Sequence, residues 1–168
     1  MRELLLLLTA AVLHELGHIL CASLLKIPFS GLSMRPCGAV MTFDFSGASY
    51  GREMCVHLAG PGTGILSAVC ALLAFGEKAA YFAGLSVWLA VLNLFLVQGF
   101  DGGGVLACLM SMFLPPAQGF RICRAVSFVT VLLLWTAVLW IELRVRAELT
   151  LLLFILYIVI SCSNNCKF

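Results

Sequence analysis

The sequence His14-Glu15-Leu16-Gly17-His18 is the stretch around which the rest of the chain is organised. It places three ionisable side chains inside an otherwise apolar segment, residues 4–25, which is long enough to cross a bilayer. Ionisable groups are costly in the middle of a membrane helix and are functional candidates by default. The segment therefore predicts a transmembrane helix, residues 3–26, that carries part of a site.

The composition of the whole chain is that of a membrane protein. Of its 168 residues, 62% are hydrophobic and only 11% are charged, and the mean hydropathy is +1.11. The net charge of +2 comes from basic residues spread over loops, so the sequence predicts no nucleic-acid partner. Eight cysteines occur without a C-x-x-C pair, and we interpret them as small hydrophobic residues.

The order of apolar and turn-forming segments predicts an all-α polytopic membrane protein with about five transmembrane helices. The alternating run at residues 39–45, with turn glycines around it, predicts a small membrane-associated β-hairpin between the first and second helices. At membrane depth, such a hairpin needs protein or water beside it to satisfy its backbone. The predicted crossings are residues 3–26, 54–75, 79–98, 125–141 and 149–161.

The spacing of the two histidines predicts a metal centre. Residues four apart lie on the same face of a helix, so His14 and His18 can present two nitrogens to one ion while Glu15 stands beside them. Zinc is the expected ion, because two imidazoles and a carboxylate form a catalytic zinc site that keeps a position for water. Glu15 would then take a proton from that water as the catalytic base.

Asp101 is the best candidate for the third ligand. The first and third predicted crossings run in the same direction, and Asp101 lies at a depth compatible with that of His18. The glycines that follow Asp101 would let the chain bend and approach the ion closely. Two rivals remain open: Asp44, which we expect to be solvated on the hairpin, and His57, which we expect to be a polar group at a helix start.

These residues carry a family resemblance. The chain resembles the site-2 protease family of intramembrane zinc metalloproteases, especially a compact bacterial branch similar to the sporulation factor protease. Its H-E-x-x-H is followed by an A-G-P sequence at residues 59–61, and the N-L-L-P-x-x-P-L-D-G-G signature is matched in part within residues 93–103. The resemblance implies zinc ligands at His14, His18 and Asp101, a catalytic base at Glu15, and a polar group at Asn93 that faces the substrate or the transition state.

The resemblance covers roughly residues 4–104. Together with the composition it predicts one transmembrane metalloprotease domain over residues 1–168, with a core at 4–114 and accessory helices at 125–162. Three positions depart from the family pattern. Leu96 and Gly99 stand where the family has prolines, and Gly64 stands where it usually has an asparagine. The lost asparagine would remove a hydrogen-bond donor near the site, with consequences for rate or substrate handling.

The expected substrate is a membrane-bound protein, such as a regulatory precursor, cleaved within or near a transmembrane segment. Its peptide bonds must be unwound before hydrolysis, and we expect the strand that contains Val40 and Thr42 to pair with the unwound segment. The expected setting is the bacterial cytoplasmic membrane, with a regulatory membrane protein as a further partner. The excess of basic residues on one side of the helices places the site toward the cytoplasm: Lys26, Arg35, Arg52, Arg121, Arg124 and Lys167 against Arg2, Lys78, Arg144 and Arg146.

Two other function classes are compatible with the sequence. A noncatalytic relative could bind membrane proteins, which the missing asparagine and prolines would favour. A metal or proton transporter is the second, because histidine and aspartate inside a membrane mark ion paths. A transporter has no need of a glutamate next to the first ligand, and the sequence has no inverted repeat.

Overall fold

Five α-helices and one β-hairpin form the part of the chain that the structure describes, residues 1–35 and 38–145. The structure is a computed structural model. The fold class predicted from the sequence, a helical polytopic membrane protein with a small hairpin after the first helix, is confirmed. In chain order the elements are α1 (Arg2–Leu24), β1 (Phe29–Arg35), β2 (Gly38–Phe43), α2 (Tyr50–Phe75), a short 3-10 turn (Gly76–Ala79), α3 (Ala80–Asn93), α4 (Asp101–Phe113) and α5 (Pro116–Val145).

Three segments of the described residues are long and apolar enough to cross a membrane. They are Arg2–Leu24, Tyr50–Asn93 and Pro116–Trp140, and no more than 22% of each is buried within the protein. The second of these contains two helices, α2 and α3, folded back on each other at the 3-10 turn. Large apolar side chains cover the outside of all three, as expected for surfaces that face lipid.

The first helix ends two residues earlier than predicted. Lys26 has a positive φ of 56°, a left-handed conformation that stops a helix, and Pro28 follows it. The chain then enters the hairpin, in which β1 and β2 are antiparallel and pair Leu32 with Met41. Phe43 and Phe45 pack on a small core from the ends of α1 and α2, so the hairpin lies against protein as required.

The third crossing is broken, and this corrects the prediction of one helix over residues 79–98. The helix α3 ends at Asn93 and is about 21 Å long, which is shorter than the apolar core of a bilayer. Residues 94–100 are not helical, and α4 begins at Asp101. Because Cys108 on α4 lies beside Glu53 at the start of α2, α4 continues the crossing in the direction of α3.

The break follows from glycine at three positions. Gly99 has a φ of 100°, which proline cannot adopt, so the missing proline there reflects the path of this backbone. A Cβ atom at Gly102 would overlap the carbonyl oxygen of Leu94, and one at Gly103 would overlap that of Val97. The loop therefore folds directly onto the first turn of α4, which brings Asp101 to its place.

The last described helix begins earlier than predicted. Pro115 and Pro116 end α4, and Pro116 occupies the first position of α5, where its missing N–H has no cost. The crossing predicted at residues 125–141 lies within α5, and the crossing predicted at residues 149–161 lies outside the described residues.

Small residues allow α2 to pack closely against its neighbours. A Cβ atom at Gly17 on α1 would lie 2.6 Å from the carbonyl oxygen of Ala59 and would overlap the side chain of Thr63. One residue after Thr63 on α2, a Cβ atom at Gly64 would lie 3.3 Å from the carbonyl oxygen of Ser86 on α3. Close approach of this kind is how helices associate in membranes, and it makes α2 the central helix that positions the site.

Candidate metal centre

Three side chains from two helices converge on one point inside the protein. Nε2 of His14 lies 3.3 Å from Nε2 of His18, and both nitrogens face Oδ2 of Asp101 at 3.1 and 3.3 Å respectively. The histidines are 3% and 6% exposed, which places the three atoms away from bulk water. The structure thus brings together the three residues that the sequence predicts as metal ligands.

The spacing of these atoms fits a tetrahedral zinc ion. Ligand atoms about 2.0–2.1 Å from a tetrahedral ion lie about 3.3–3.4 Å from one another, close to the three separations found here. Two neutral imidazoles and a carboxylate are also a donor set that zinc prefers. Three protein ligands leave the fourth position for water or substrate.

The ring of His18 is oriented by a backbone group. Its Nδ1 lies 2.7 Å from the carbonyl oxygen of Val56 on α2 and donates a hydrogen bond to it. This bond fixes the tautomer in which Nε2 has no proton and can bind a metal. Nδ1 of His14 is buried and has no hydrogen-bond partner among the described residues.

Gly60 provides the space that the two rings occupy. A Cβ atom at this position would lie 2.8 Å from Nε2 of His14 and would overlap the ring of His18. Residues with a side chain therefore cannot replace Gly60 unless the imidazoles move. This contact explains in physical terms why an A-G-P sequence on α2 accompanies an H-E-x-x-H sequence on α1.

Glu15 stands next to the convergence point without belonging to it. It is half-buried on α1, and its carboxylate is close enough to interact electrostatically with His14, His18 and Asp101. A carboxylate at this position can exchange a proton with a group bound near the three ligands.

His57 lies close to the metal ligands, which the sequence did not predict. It was predicted as a polar group at a helix start, but α2 begins at Tyr50, so His57 lies two turns inside the helix. Its Nδ1 lies 3.7 Å from Oδ1 of Asp101. The other oxygen of the same carboxylate faces His14 and His18. The signal was its spacing from Gly60, one turn further along α2, which places both residues on the face toward the site.

The other rival ligand, Asp44, is exposed on the loop after the hairpin, as expected. Its Oδ1 accepts a hydrogen bond of 3.0 Å from the backbone N–H of Ser46. Hydrogen bonds from the hydroxyl and the N–H of Ser46 hold the pKa of Asp44 below its ordinary value. Asp44 is therefore a solvated carboxylate of the turn.

The predicted substrate-binding residues lie in different parts of the fold. Asn93 is the last residue of α3, is half-buried, and donates a hydrogen bond of 3.0 Å from Nδ2 to the carbonyl oxygen of Leu89. In the hairpin, Val40 pairs with Ser33 and Thr42 pairs with Gly31, whose carbonyl oxygen accepts a bond of 2.9 Å from the Thr42 hydroxyl. Asn93 is thus at the end of α3, whereas Val40 and Thr42 are on β2.

Gly64 faces α3 and not the metal ligands. A Cβ atom there would lie 3.3 Å from the carbonyl oxygen of Ser86 and 3.5 Å from Cβ of Ala90. The glycine found where the family usually has asparagine therefore fits a close contact between α2 and α3.

A serine on α5, which the sequence did not single out, holds the loop before Asp101. The hydroxyl of Ser127 donates to the carbonyl oxygen of Leu96 at 3.2 Å and accepts from the backbone N–H of Gln98 at 3.1 Å. These bonds replace helical hydrogen bonds in the break, where backbone groups in a membrane need partners.

Removal of the Ser127 hydroxyl should loosen this loop. We expect Ser127→Ala to lower the free energy of unfolding by about 1 kcal/mol for each lost hydrogen bond and to weaken zinc binding several-fold. Thermal unfolding and zinc titration of the detergent-solubilised protein measure both effects. Thr136→Ala is the matched control, because that hydroxyl bonds only to Leu133 of its own helix. Equal behaviour of the two variants would show that Ser127 does not position Asp101.

Comparison with known proteins agrees with this geometry. Residues 3–79 match the model of the family described as peptidase family M50. The fold is similar to a solved structure of the site-2 protease from Methanocaldococcus jannaschii, with a TM-score of 0.71. The predicted resemblance to the site-2 protease family is confirmed. The chain and the archaeal site-2 protease are 20% identical, and the match covers 98% of this chain and 77% of that one.

The two likenesses cover different parts of the site. The match to peptidase family M50 includes His14, His18 and Gly60 but ends before Asp101. The fold shared with the archaeal site-2 protease extends over nearly the whole chain and so includes α4. A comparison with curated proteins gave no match. The shared fold and the apolar helices together indicate a multi-pass membrane protein.

Proposed function

We propose that the chain is an intramembrane zinc metalloprotease that hydrolyses a peptide bond within or near a transmembrane segment of a membrane-bound protein. The observation that carries the proposal is the triangle formed by Nε2 of His14, Nε2 of His18 and Oδ2 of Asp101. Its edges fit one tetrahedral zinc ion, and its two histidines lie on α1, a helix long and apolar enough to span a membrane. A regulatory precursor is the substrate class that we expect.

The proposed chemistry divides between the ion and the chain. Zinc, when bound, supplies Lewis-acid activation of water and of the scissile carbonyl group. Glu15 accepts the proton of the attacking water and returns it to the leaving amine. His14, His18 and Asp101 hold the ion, and the carbonyl group of Val56 keeps His18 in the required tautomer.

Asn93 has a separate proposed role. It ends α3 beside the break that leads to Asp101, and its Nδ2 donates to the carbonyl oxygen of Leu89. We assign it to hydrogen bonding with the substrate or with the charge that develops on the scissile carbonyl oxygen. A polar donor aimed at that oxygen acts where the negative charge appears during hydrolysis.

The hairpin is the proposed docking element for the unwound substrate. Within the described residues its sheet has two strands, β1 and β2, so the outer edge of β2 has backbone groups available for another strand. Phe43 and Phe45, at and just beyond the end of this strand, pack against α1 and α2, and Phe45 also lies near His57. A segment added to β2 would therefore run toward the metal centre.

Proline at Val40 or Thr42 should slow cleavage without removing zinc. Proline has no N–H to donate and is excluded from strand interiors that must pair. Cleavage of a single-pass reporter and zinc content of the purified variants measure the two properties. Thr42→Val is the control, because it keeps the strand and removes only the side-chain bond to Gly31. Rates equal to the native rate in both proline variants would eliminate strand addition.

The proposed setting is a bacterial cytoplasmic membrane, with the hairpin and the mouth of the site on the cytoplasmic side. The hairpin end of the described helices carries more lysine and arginine than the other end, and the cytoplasmic side of membrane proteins carries this excess. A regulatory membrane protein is a proposed partner that would admit the substrate.

The function is tested by reconstituting the native protein in liposomes with a single-pass reporter protein. We expect cleavage that stops when a chelator removes zinc and resumes when zinc is added back. Metal analysis of the same sample follows the ion. Zinc-loaded protein that cleaves no reporter would favour the hypothesis of a noncatalytic relative that binds membrane proteins. Zinc flux across the liposome membrane without cleavage would favour a transporter.

A further inference from the structure

A second group of metal-binding side chains lies next to the first, on the facing surfaces of α2 and α4. Glu53 and His57 are four residues apart on α2 and share one face of the helix. Cys108 on α4 is the third member, and the three donor atoms all lie within 4.8 Å of one another. None of the three belongs to the triangle of His14, His18 and Asp101.

We propose that Glu53, His57 and Cys108 form a second metal site, for a divalent ion of the zinc class. A thiolate, an imidazole and a carboxylate are all ligands of zinc in proteins, and the thiolate disfavours magnesium and calcium. Three protein ligands leave one position for water. The proposal stands apart from the proposed protease function, because it requires no reaction at the first centre.

The packing of the two helices is shaped around this group. The helices run in opposite directions, with Glu53 opposite Cys108 and His57 opposite Gly104. A Cβ atom at Gly104 would lie 2.5, 2.6 and 2.7 Å from Cε1, Nε2 and Nδ1 of the His57 ring. Gly104 therefore makes room for an imidazole between the helices, as Gly60 does at the first centre.

The three side chains of the second group are buried or half-buried. Cys108 is 2% exposed, while Glu53 and His57 are half-buried on a largely apolar helix. Ionisable groups in such a place are costly unless they have partners or a function. A bound ion would neutralise the carboxylate and the thiolate together, and the thiol proton would leave for solvent when the ion binds.

His57 connects the two sites. Its Nδ1 lies 3.7 Å from Oδ1 of Asp101, which leaves Nε2 as the nitrogen for the second ion. A ring that binds a metal through one nitrogen commonly has a carboxylate next to the other, which fixes the tautomer and the orientation of the ring. Asp101 would thus face the first ion with one oxygen and orient a ligand of the second with the other.

Cobalt substitution tests the second site directly. The double variant His14→Ala/His18→Ala lacks two ligands of the first centre, and cobalt bound to it should show a near-ultraviolet thiolate-to-metal charge-transfer band. The first centre has no thiolate, so it cannot produce this band. Addition of Cys108→Ser should abolish the band, and addition of His57→Ala should weaken binding about 10-fold or more.

Cys55→Ser is the matched control. Cys55 is on α2 two residues from Glu53, close enough to Cys21 for the two thiols to interact, and it lies outside the proposed ligand set. Its replacement should leave the charge-transfer band unchanged. A band that survives Cys108→Ser, or one that disappears with Cys55→Ser, would overturn the assignment of Cys108.

X-ray absorption of the native protein tests the same site without any substitution. With two equivalents of zinc, we expect a sulfur neighbour at about 2.3 Å in addition to nitrogen and oxygen neighbours. A zinc environment of nitrogen and oxygen alone would overturn the proposal. If the native protein shows the sulfur neighbour but cleaves no reporter, the result would count against the proposed protease function alone.

Discussion

Replacing Glu15 by glutamine should lower the rate of reporter cleavage about 10²–10⁴-fold while the zinc content stays unchanged. The substitution keeps the size of the side chain but removes its ability to accept a proton. It leaves the triangle of His14, His18 and Asp101 in place, because Glu15 is beside these ligands and not among them. Rates of product formation and metal analysis of the same preparation measure the two quantities.

Glu3→Gln is the matched control for this prediction. Glu3 is in the first turn of the same helix, is exposed, and lies more than three helical turns from Glu15 by the helical repeat of about 3.6 residues. Its replacement should leave both cleavage and zinc unchanged. Cleavage by Glu15→Gln at the native rate would show that another group accepts the proton.

Replacing Gly60 by alanine should weaken zinc binding about 10–100-fold and reduce cleavage at limiting zinc by a similar factor. The added methyl group would occupy the position of the His18 ring and would lie 2.8 Å from Nε2 of His14. At least one imidazole must turn away, so the ligand triangle opens. Competition with a zinc-binding dye measures the affinity.

Gly62→Ala separates this effect from the general consequences of a glycine-to-alanine change. Gly62 is in the same helix, and a Cβ atom there would meet nothing within 4 Å. We expect native zinc affinity and native cleavage for this variant, with a helix at least as stable. Equal zinc affinity of the Gly60 and Gly62 variants would contradict the position assigned to the His18 ring.

The ligand triangle was predictable because each part of it depends on a local rule. The separation of His14 and His18 by one helical turn places both nitrogens on one face wherever that helix lies. Ionisable groups in apolar surroundings cost free energy, so their presence there indicates a function. Asp101 followed from depth and from the direction of the crossings, and the structure brings its Oδ2 to within 3.3 Å of both nitrogens.

The broken third crossing could not be read from hydropathy. Residues 79–98 are apolar throughout, and a helix over that range satisfies composition alone. The break arises because Gly102 and Gly103 admit the carbonyl groups of Leu94 and Val97 against α4, and because Ser127 on a distant helix bonds to the loop. Such contacts depend on tertiary packing, which local periodicity does not contain.

The environment of His57 was also beyond local reasoning. Its place on the second helix was clear from the sequence, but its approach to Asp101 requires the register between α2 and α4. That register places Gly104 against the His57 ring and Cys108 near Glu53. No spacing along the chain indicates it, although a histidine four residues after a glutamate in an apolar helix could have prompted the question.

The strand of the hairpin, in contrast, was predictable from local sequence. Alternation at residues 39–45 was sufficient to predict a strand, and β2 spans Gly38–Phe43. Alternation could not provide the partner surface, which consists of Ala22 on α1, Ile27 just after α1 and Val56 on α2. The proposal of strand addition therefore depends on a prediction from the sequence together with packing that only the structure supplies.

The central claim is that the triangle of His14, His18 and Asp101, with Glu15 beside it, hydrolyses a peptide bond inside the membrane. The most direct measurement is mass spectrometry of the products from a single-pass reporter incubated with zinc-loaded protein in liposomes. We predict a new terminus within the transmembrane segment for the native protein and no such product for Asp101→Asn or Glu15→Gln. The same internal terminus produced by both variants, or intact reporter with the native protein, would contradict the claim.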